Sequence, residues 1–119
     1  MNECLSILRA ARLMSVPVAA LIALRATENG GPGREFGVLS VPAPTYGDQL
    51  LVAARSFRHS EDRYEQQTGK GARDETGHYT EAFLRFFSAR WAPIGAENDP
   101  DNLNSHHANN LVAFYEQAR

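Results

Sequence analysis

The sequence predicts a mainly α-helical protein, a small domain of five or six helices with a minor β-hairpin arm. Apolar residues recur at helical spacing along most of the 119 residues, and capping residues or proline stand before these stretches. Glycine and proline are concentrated in a few segments between them. A chain of this length forms one hydrophobic core, so we expect residues 1–119 to be a single domain.

The first two helices are predicted within the first quarter of the chain. Residues 3–14 have one apolar and one basic helical face. Ser15 and Pro17 suit the cap and the first turn of a second helix, which runs to about Glu28. The glycines and proline of residues 29–33 then stop it.

A non-helical segment follows at residues 29–44. Glycine and proline surround a mainly apolar stretch at residues 35–41, which predicts a loop with a short strand or hairpin arm. Thr45 with Asp48 three residues on is a variant of the capping box, so a third helix begins there and ends near Gly69.

The last part of the chain predicts a loop and two more helices. Residues 70–78 are polar and contain glycine, which is typical of a mobile surface loop. Thr80 caps a helix whose aromatic stripe, Phe83 to Trp91, predicts a central, buried element. An irregular polar stretch to Asn104 precedes a final helix capped by that residue or by Ser105.

Composition excludes several classes of protein. The net charge of -2 is spread over mixed residues, so there is no basic stripe for nucleic acid. Cys4 is the only cysteine and forms no internal disulfide. The adjacent histidines His106 and His107 face different directions on a helix, and we expect neither a metal nor another cofactor.

We expect no targeting or membrane segment in the N-terminal region. The apolar run at residues 16–24 is far shorter than the roughly 20 residues that span a bilayer. Glu3 and the lack of a convincing small-residue cleavage site argue against a signal peptide. We therefore expect a soluble chain made in the cytoplasm, with no membrane partner.

Glu28 is the residue that most suggests chemistry. It is a carboxylate at the end of an apolar helix, with apolar packing on one side and an open glycine-rich loop on the other. Apolar surroundings disfavour the charged form of a carboxyl group, which suits a general acid that protonates a leaving oxygen. The structural alternative is an exposed glutamate in the last turn of a helix.

Several segments in a fixed order resemble the lysozyme superfamily. Helix, glutamate, glycine-rich loop and a Phe-Gly-hydrophobic strand recur there, and the later segments resemble flagellar and autolysin-type N-acetylglucosaminidases and phage cell-wall hydrolases. The resemblance covers residues 17–117 and rests on residues 28–38, 46–50, 83–93 and 99–104. It implies a lysozyme-like fold and Glu28 as the general acid that protonates the glycosidic oxygen of peptidoglycan.

A second acid is less clearly marked. Glycosidases that use two carboxylates hold them about 5 to 5.5 Å or about 6.5 to 9.5 Å apart, for a nucleophile or a base respectively. Glu35 is the possible second acid, and Asp48 is another carboxylate at a helix start. Each is equally compatible with an ordinary loop or capping role, and many members of the superfamily rely on one glutamate, with the substrate's N-acetyl group or a bound water supplying the rest.

Substrate-binding residues are expected among aromatic and amide side chains. Tyr46 and Tyr79 begin helices and offer flat faces for sugar rings, whereas the spacing of Trp91 favours the core. Asn98 and Asn104 could bind acetamido and hydroxyl groups, although asparagine also favours caps and turns.

The function expected from the resemblance is hydrolysis of peptidoglycan glycan strands, as a muramidase or N-acetylglucosaminidase acting in cell wall degradation. Two alternatives stay open: a lytic transglycosylase using the same Glu28, and a non-enzymatic lysozyme-like structural or glycan-binding domain of a phage particle or secretion machine. A bacteriolytic enzyme without a signal peptide would reach the cell wall by a phage or prophage route. The oligomeric state and the bond cleaved are not specified by the sequence.

Overall fold

The computed structural model describes residues 3–28, 36, 45–92 and 106–119. Within these ranges the protein is mainly helical and has five helices. They are α1 Glu3–Met14, α2 Val18–Glu28, α3 Tyr46–Thr68, α4 Glu81–Trp91 and α5 His107–Ala118. This agrees with the predicted class, whereas the hairpin arm, apart from Phe36, lies outside the described residues. None of the helices in the described ranges is long and apolar enough to cross a bilayer.

Helix α2 is the centre of the packing. It contacts α1 and α3, and most extensively α5, while α4 packs against α3 and α5. Leu21 and Leu24 have no exposed surface, as do the alanines Ala20 and Ala23 beside them. Small alanine side chains let neighbouring helices approach closely, so the middle of α2 lies between other helices.

The aromatic stripe of α4 forms the core that its spacing predicts. Phe83 and Phe87 are buried, and the ring of Phe87 stacks on that of Phe57 of α3 with centroids 3.9 Å apart. On its other side Phe87 stacks on Trp91, with centroids 5.5 Å apart. This row of rings fixes the end of α4, and with it the position of Trp91.

The caps of α3 and α4 are the predicted ones, whereas α5 has His106 at its N-cap position, with no side-chain cap hydrogen bond, instead of Asn104 or Ser105. The Thr45 hydroxyl accepts a hydrogen bond from the Asp48 N–H at 3.1 Å, and the Asp48 carboxylate accepts one from the Thr45 N–H at 3.4 Å. Helix α3 ends at Gly69, whose φ of 71° is in the left-handed region that glycine adopts without strain. The Thr80 hydroxyl accepts from the Phe83 N–H at the start of α4.

Residues 70–78 form a surface turn that is tied to the helices. The Asp74 carboxylate accepts hydrogen bonds from Thr76 and His78, and these bonds, from Thr76 foremost, lower the pKa of Asp74. Arg73 forms an isolated antiparallel bridge with Tyr79 at the base of the turn. The turn is exposed, as expected, but its two ends are anchored.

Candidate functional site

Glu28 is the last residue of α2 and lies where that helix meets α4 and α5. Its side chain is only 19% exposed, so it is not a solvated surface charge. Its Oε1 atom accepts a hydrogen bond from the indole Nε1–H of Trp91 at 3.0 Å and lies 2.7 Å from Nε2 of His107. Two residues that are distant in sequence therefore hold one oxygen of the carboxyl group.

His107 continues this chain of hydrogen bonds into the core. It is the first residue of α5 and is 7% exposed, and its Nδ1 lies 2.7 Å from the hydroxyl oxygen of Ser88, which is 2% exposed. When the Ser88 hydroxyl donates to Nδ1, the neutral imidazole carries its proton on Nε2 and donates it to Glu28. All three contacts are then matched between donors and acceptors. We name Glu28, Ser88, Trp91 and His107 the Glu28 cluster.

The two oxygens of Glu28 differ in their surroundings. Both hydrogen bonds go to Oε1, and within the described ranges Oε2 accepts none. The partners are a neutral indole and an imidazole, and no lysine or arginine of the described residues pairs with this carboxylate. One oxygen is thus held in place while the other is available to carry and transfer a proton.

The relative burial of the residues in the Glu28 cluster argues against Ser88 as a nucleophile. In a Ser-His-acid triad the hydroxyl must reach the substrate while the acid orients the histidine from behind. Here Ser88 is 2% exposed and His107 7% exposed, whereas the Glu28 side chain is 19% exposed. Any chemistry of the Glu28 cluster therefore takes place at the carboxyl group.

A second buried carboxylate, Glu61 of α3, has a different environment. It is 4% exposed, and Arg73 donates to both of its oxygens, from Nε at 2.9 Å and from Nη2 at 2.8 Å. The Tyr79 hydroxyl donates to Oε2 at 2.7 Å, and Arg73 also donates to the backbone oxygen of Ser15. This Glu61 cluster, comprising Glu61, Arg73 and Tyr79, joins α3, the 70–78 turn and the α1–α2 turn.

The Glu61 cluster corrects the expectation for Tyr79. This tyrosine was expected to stack under a sugar, but it is 2% exposed and its ring packs on Phe57 and Phe83. Burial raises the pKa of the Tyr79 phenol well above its usual range, and the hydrogen bond to Glu61 raises it further. Tyr79 is a core residue because its hydroxyl has a buried acceptor, which its position at a helix start did not reveal.

Other predicted site residues have varied positions. Tyr46 is half-buried at the start of α3, with its ring centroid 5.9 Å from that of Phe36. Phe36 is fully buried, and its N–H donates to the Gln49 side chain at 3.2 Å. Asp48 is the exposed capping residue described above, which accounts for it without a catalytic role. Glu35, Asn98 and Asn104 lie outside the described residues.

His107 and Ser88 were not predicted as site residues, and Trp91 was expected in the core. Trp91 does stack on Phe87, and it also donates to Glu28. The predicted burial of Trp91 did imply a hydrogen-bond partner, because a buried indole N–H normally needs an acceptor. No local signal joined His107 to Glu28, because 79 residues separate them along the chain. Among the described residues, no three His, Cys, Asp or Glu side chains cluster as metal ligands.

Comparison of the chain with protein-family models, curated proteins and solved structures gives no significant match.

Proposed function

We propose that the protein is a glycosidase that hydrolyses the glycan strands of bacterial peptidoglycan, with Glu28 as its general acid. The observation that supports this proposal is the asymmetry of the Glu28 carboxyl group, in which ring nitrogens of Trp91 and His107 hold Oε1 while Oε2 has no hydrogen-bond partner among the described residues. The choice of peptidoglycan as the substrate is based on the ordered sequence segments that resemble cell-wall N-acetylglucosaminidases. The same role places the action of the protein in the cell wall, with phage or prophage delivery as its route.

The chemistry follows from this asymmetry. A proton on Oε2 passes to the glycosidic oxygen as the bond from that oxygen to the anomeric carbon breaks, and Glu28 becomes a carboxylate. The Trp91 and His107 N–H groups then stabilise the new charge on Oε1, since both can donate to the ionised form. A water molecule or the substrate's N-acetyl group attacks the anomeric carbon, and the proton of the attacking water ultimately restores Glu28.

The decisive experiment is the Glu28→Gln substitution. Glutamine keeps the shape and accepts the same two N–H donors through its oxygen, but it has no proton to transfer. We expect the rate of turbidity loss of purified cell walls to fall at least about a hundredfold, the usual size of a general-acid contribution. Glu116→Gln, at an exposed glutamate of α5, is the matched control and should retain the wild-type rate.

Two results would contradict the proposal. The first is a folded Glu28→Gln protein that keeps more than about a tenth of the wild-type rate. The second is a wild-type protein that binds cell walls without releasing any fragment, which is the outcome expected of a structural or glycan-binding domain.

Mass spectrometry of the fragments separates the two enzymatic mechanisms. A hydrolase yields reducing ends, whereas a lytic transglycosylase yields 1,6-anhydro products because the muramoyl 6-hydroxyl replaces water. The identity of the reducing sugar also distinguishes a muramidase from an N-acetylglucosaminidase.

A further inference from the structure

A small pocket lies between α3 and α4, and Trp91 is the one member of the Glu28 cluster among its described lining residues. It has a volume of about 220 Å³. Phe87 and Trp91 supply its apolar wall, and the remaining lining residues are polar or basic: Ser56, His59, Ser60, Arg63 and Arg90. We name it the basic pocket. Among the described residues, no acidic side chain lines it.

Among the described residues, the arginines of the basic pocket have no counter-charge. On the same two helices Arg58 pairs with Glu61 and Asp62, and Arg85 with Glu81, whereas Arg55, which does not line the pocket, likewise has no ion pair within these ranges. Within the described ranges, Arg63 and Arg90 form no ion pair. Two exposed guanidinium groups from different helices therefore border one concavity and present N–H donors to an anion there.

The lining chemistry defines the ligand. Guanidinium groups bind the oxygens of carboxylates and phosphates through paired N–H donors, and serine hydroxyls add further hydrogen bonds. The indole and phenyl rings provide a surface for an apolar group next to the anion. A pocket of about 220 Å³ accommodates a short acidic appendage of a larger molecule, not a whole polymer chain.

Trp91 connects the basic pocket to the candidate acid. Its ring lines the pocket, while its Nε1–H donates to Oε1 of Glu28 at 3.0 Å. A ligand in the pocket is thus separated from the Glu28 carboxyl group by the indole of one residue. A substituent of the sugar strand that Glu28 would cleave is therefore a suitable ligand for the pocket.

We propose that the basic pocket binds a carboxylate of the peptide side chain that peptidoglycan strands carry on their lactyl groups. The inference rests on the proposed function, because that function supplies the substrate. In this arrangement Arg63 and Arg90 hold the acidic appendage and so position the strand beside Glu28. They are positioning residues and do not touch the bond that breaks.

The chain provides its own reporter for this pocket, because Trp91 is its only tryptophan. The experiment measures Trp91 fluorescence while the full-length protein is titrated with N-acetylmuramyl-L-alanyl-D-glutamate, a ligand with free carboxylates and no cleavable link between sugars. The protein is titrated in parallel with the same compound in which both carboxylates are amidated, and with inorganic phosphate.

We expect a saturable change in emission with the free acid and none with its amide. Arg63→Gln and Arg90→Gln should each weaken binding by roughly tenfold to a hundredfold, the range for loss of a hydrogen bond to a charged group. Arg55→Gln is the matched control, because Arg55 is an exposed arginine two turns earlier on α3 that does not line the pocket. It should bind as the wild type does.

The possible outcomes are distinct. Equal binding of the amide, or binding unchanged by both arginine substitutions, would overturn the proposal. Phosphate that binds as tightly as the free acid, with the same arginine dependence, would overturn the assignment to a peptide carboxylate. Since the ligand cannot be hydrolysed, a failed titration leaves the cell-wall result with Glu28→Gln untouched, and a failed cell-wall assay leaves the binding result untouched.

Discussion

Glu28 and Glu61 are both carboxylates shielded from solvent, yet their surroundings differ in a way that separates structure from chemistry. Both oxygens of Glu61 accept hydrogen bonds from Arg73, and the Tyr79 hydroxyl adds another. Within the described ranges, Glu28 has ring nitrogen partners on one oxygen only. Protonation of Glu61 would leave the Arg73 guanidinium without its counter-charge, whereas Glu28 can gain a proton on Oε2 without losing a partner.

The comparison shows that burial and hydrogen bonding alone do not identify a functional carboxyl group. A saturated, ion-paired carboxylate is suited to joining distant segments, as Glu61 joins α3 to two turns. An incompletely satisfied carboxylate beside neutral donors is suited to proton transfer. Three predictions test this distinction, beginning with the one expected to have the largest effect.

The largest effect should follow Glu61→Gln, which removes the charge at the centre of the Glu61 cluster. Breaking a wholly buried ion pair costs roughly 3 to 5 kcal/mol, but Arg73 is 31% exposed and its charge is partly screened. We therefore expect the free energy of unfolding, measured by urea denaturation, to fall by about 2 to 3 kcal/mol.

The control for this substitution is Glu81→Gln, which breaks the exposed pair with Arg85. Surface pairs contribute about 0.2 to 1 kcal/mol, so the control should change stability little. If Glu61→Gln were no more destabilising than Glu81→Gln, Glu61 would not hold the structure together, and the contrast with Glu28 would lose its basis.

A smaller effect, on catalysis, is expected from His107→Phe. Phenylalanine approximates the ring volume but removes both hydrogen bonds, so Glu28 loses the donor at 2.7 Å that fixes Oε1. We expect kcat on a soluble glycan oligomer to fall by roughly tenfold to a hundredfold, because a misplaced acid is a poorer acid, while KM stays nearly constant.

His107→Gln is the conservative variant, since its amide N–H can still donate to Glu28. It should recover part of the kcat that His107→Phe loses. Equal kcat values for His107→Phe and the wild type would show that His107 only fills space. Thermal unfolding of both variants distinguishes loss of positioning from loss of fold.

The smallest effect should appear as a loss of stability at alkaline pH. Burial raises the pKa of Tyr79 above its ordinary value of 10.0, so the folded protein keeps the phenol proton while the unfolded chain releases it above about pH 10. The contribution to stability is complete below pH 10 and is lost as the pH rises. pH 11 is one unit above the pKa of tyrosine in the unfolded chain. At that pH the free energy of unfolding should therefore be lower by about 1.4 kcal/mol because of Tyr79.

Urea denaturation between pH 8 and pH 11 measures this dependence. Tyr79→Phe removes the titrating group, so it should be less stable at neutral pH but should show a shallower decline above pH 10. An identical decline in both proteins would mean that Tyr79 does not retain its proton in the folded state. Tyr115, whose pKa burial also raises, accounts for part of the remaining slope.

The sequence determined the helices because their signals are local. Hydrophobic periodicity, the Thr45 and Thr80 caps, and the glycine after α3 act over a few residues, and the structure places the boundaries where they indicate. The position of Glu28 at the end of an apolar helix was predictable for the same reason. The aromatic stripe of α4 likewise predicted its burial without any knowledge of its partners.

Only the tertiary structure decided which side chains meet. Tyr79 is a buried donor to Glu61 and does not offer its ring to a sugar. The reason is that Arg73, in the adjoining turn, binds Glu61 and so holds this turn against α3. Trp91 and His107 became partners of Glu28 because α2 packs against α5 and the stacked rings fix the end of α4. Such contacts join residues that are far apart in the chain, and they depend on how helix surfaces fit together, which periodicity along one helix does not encode.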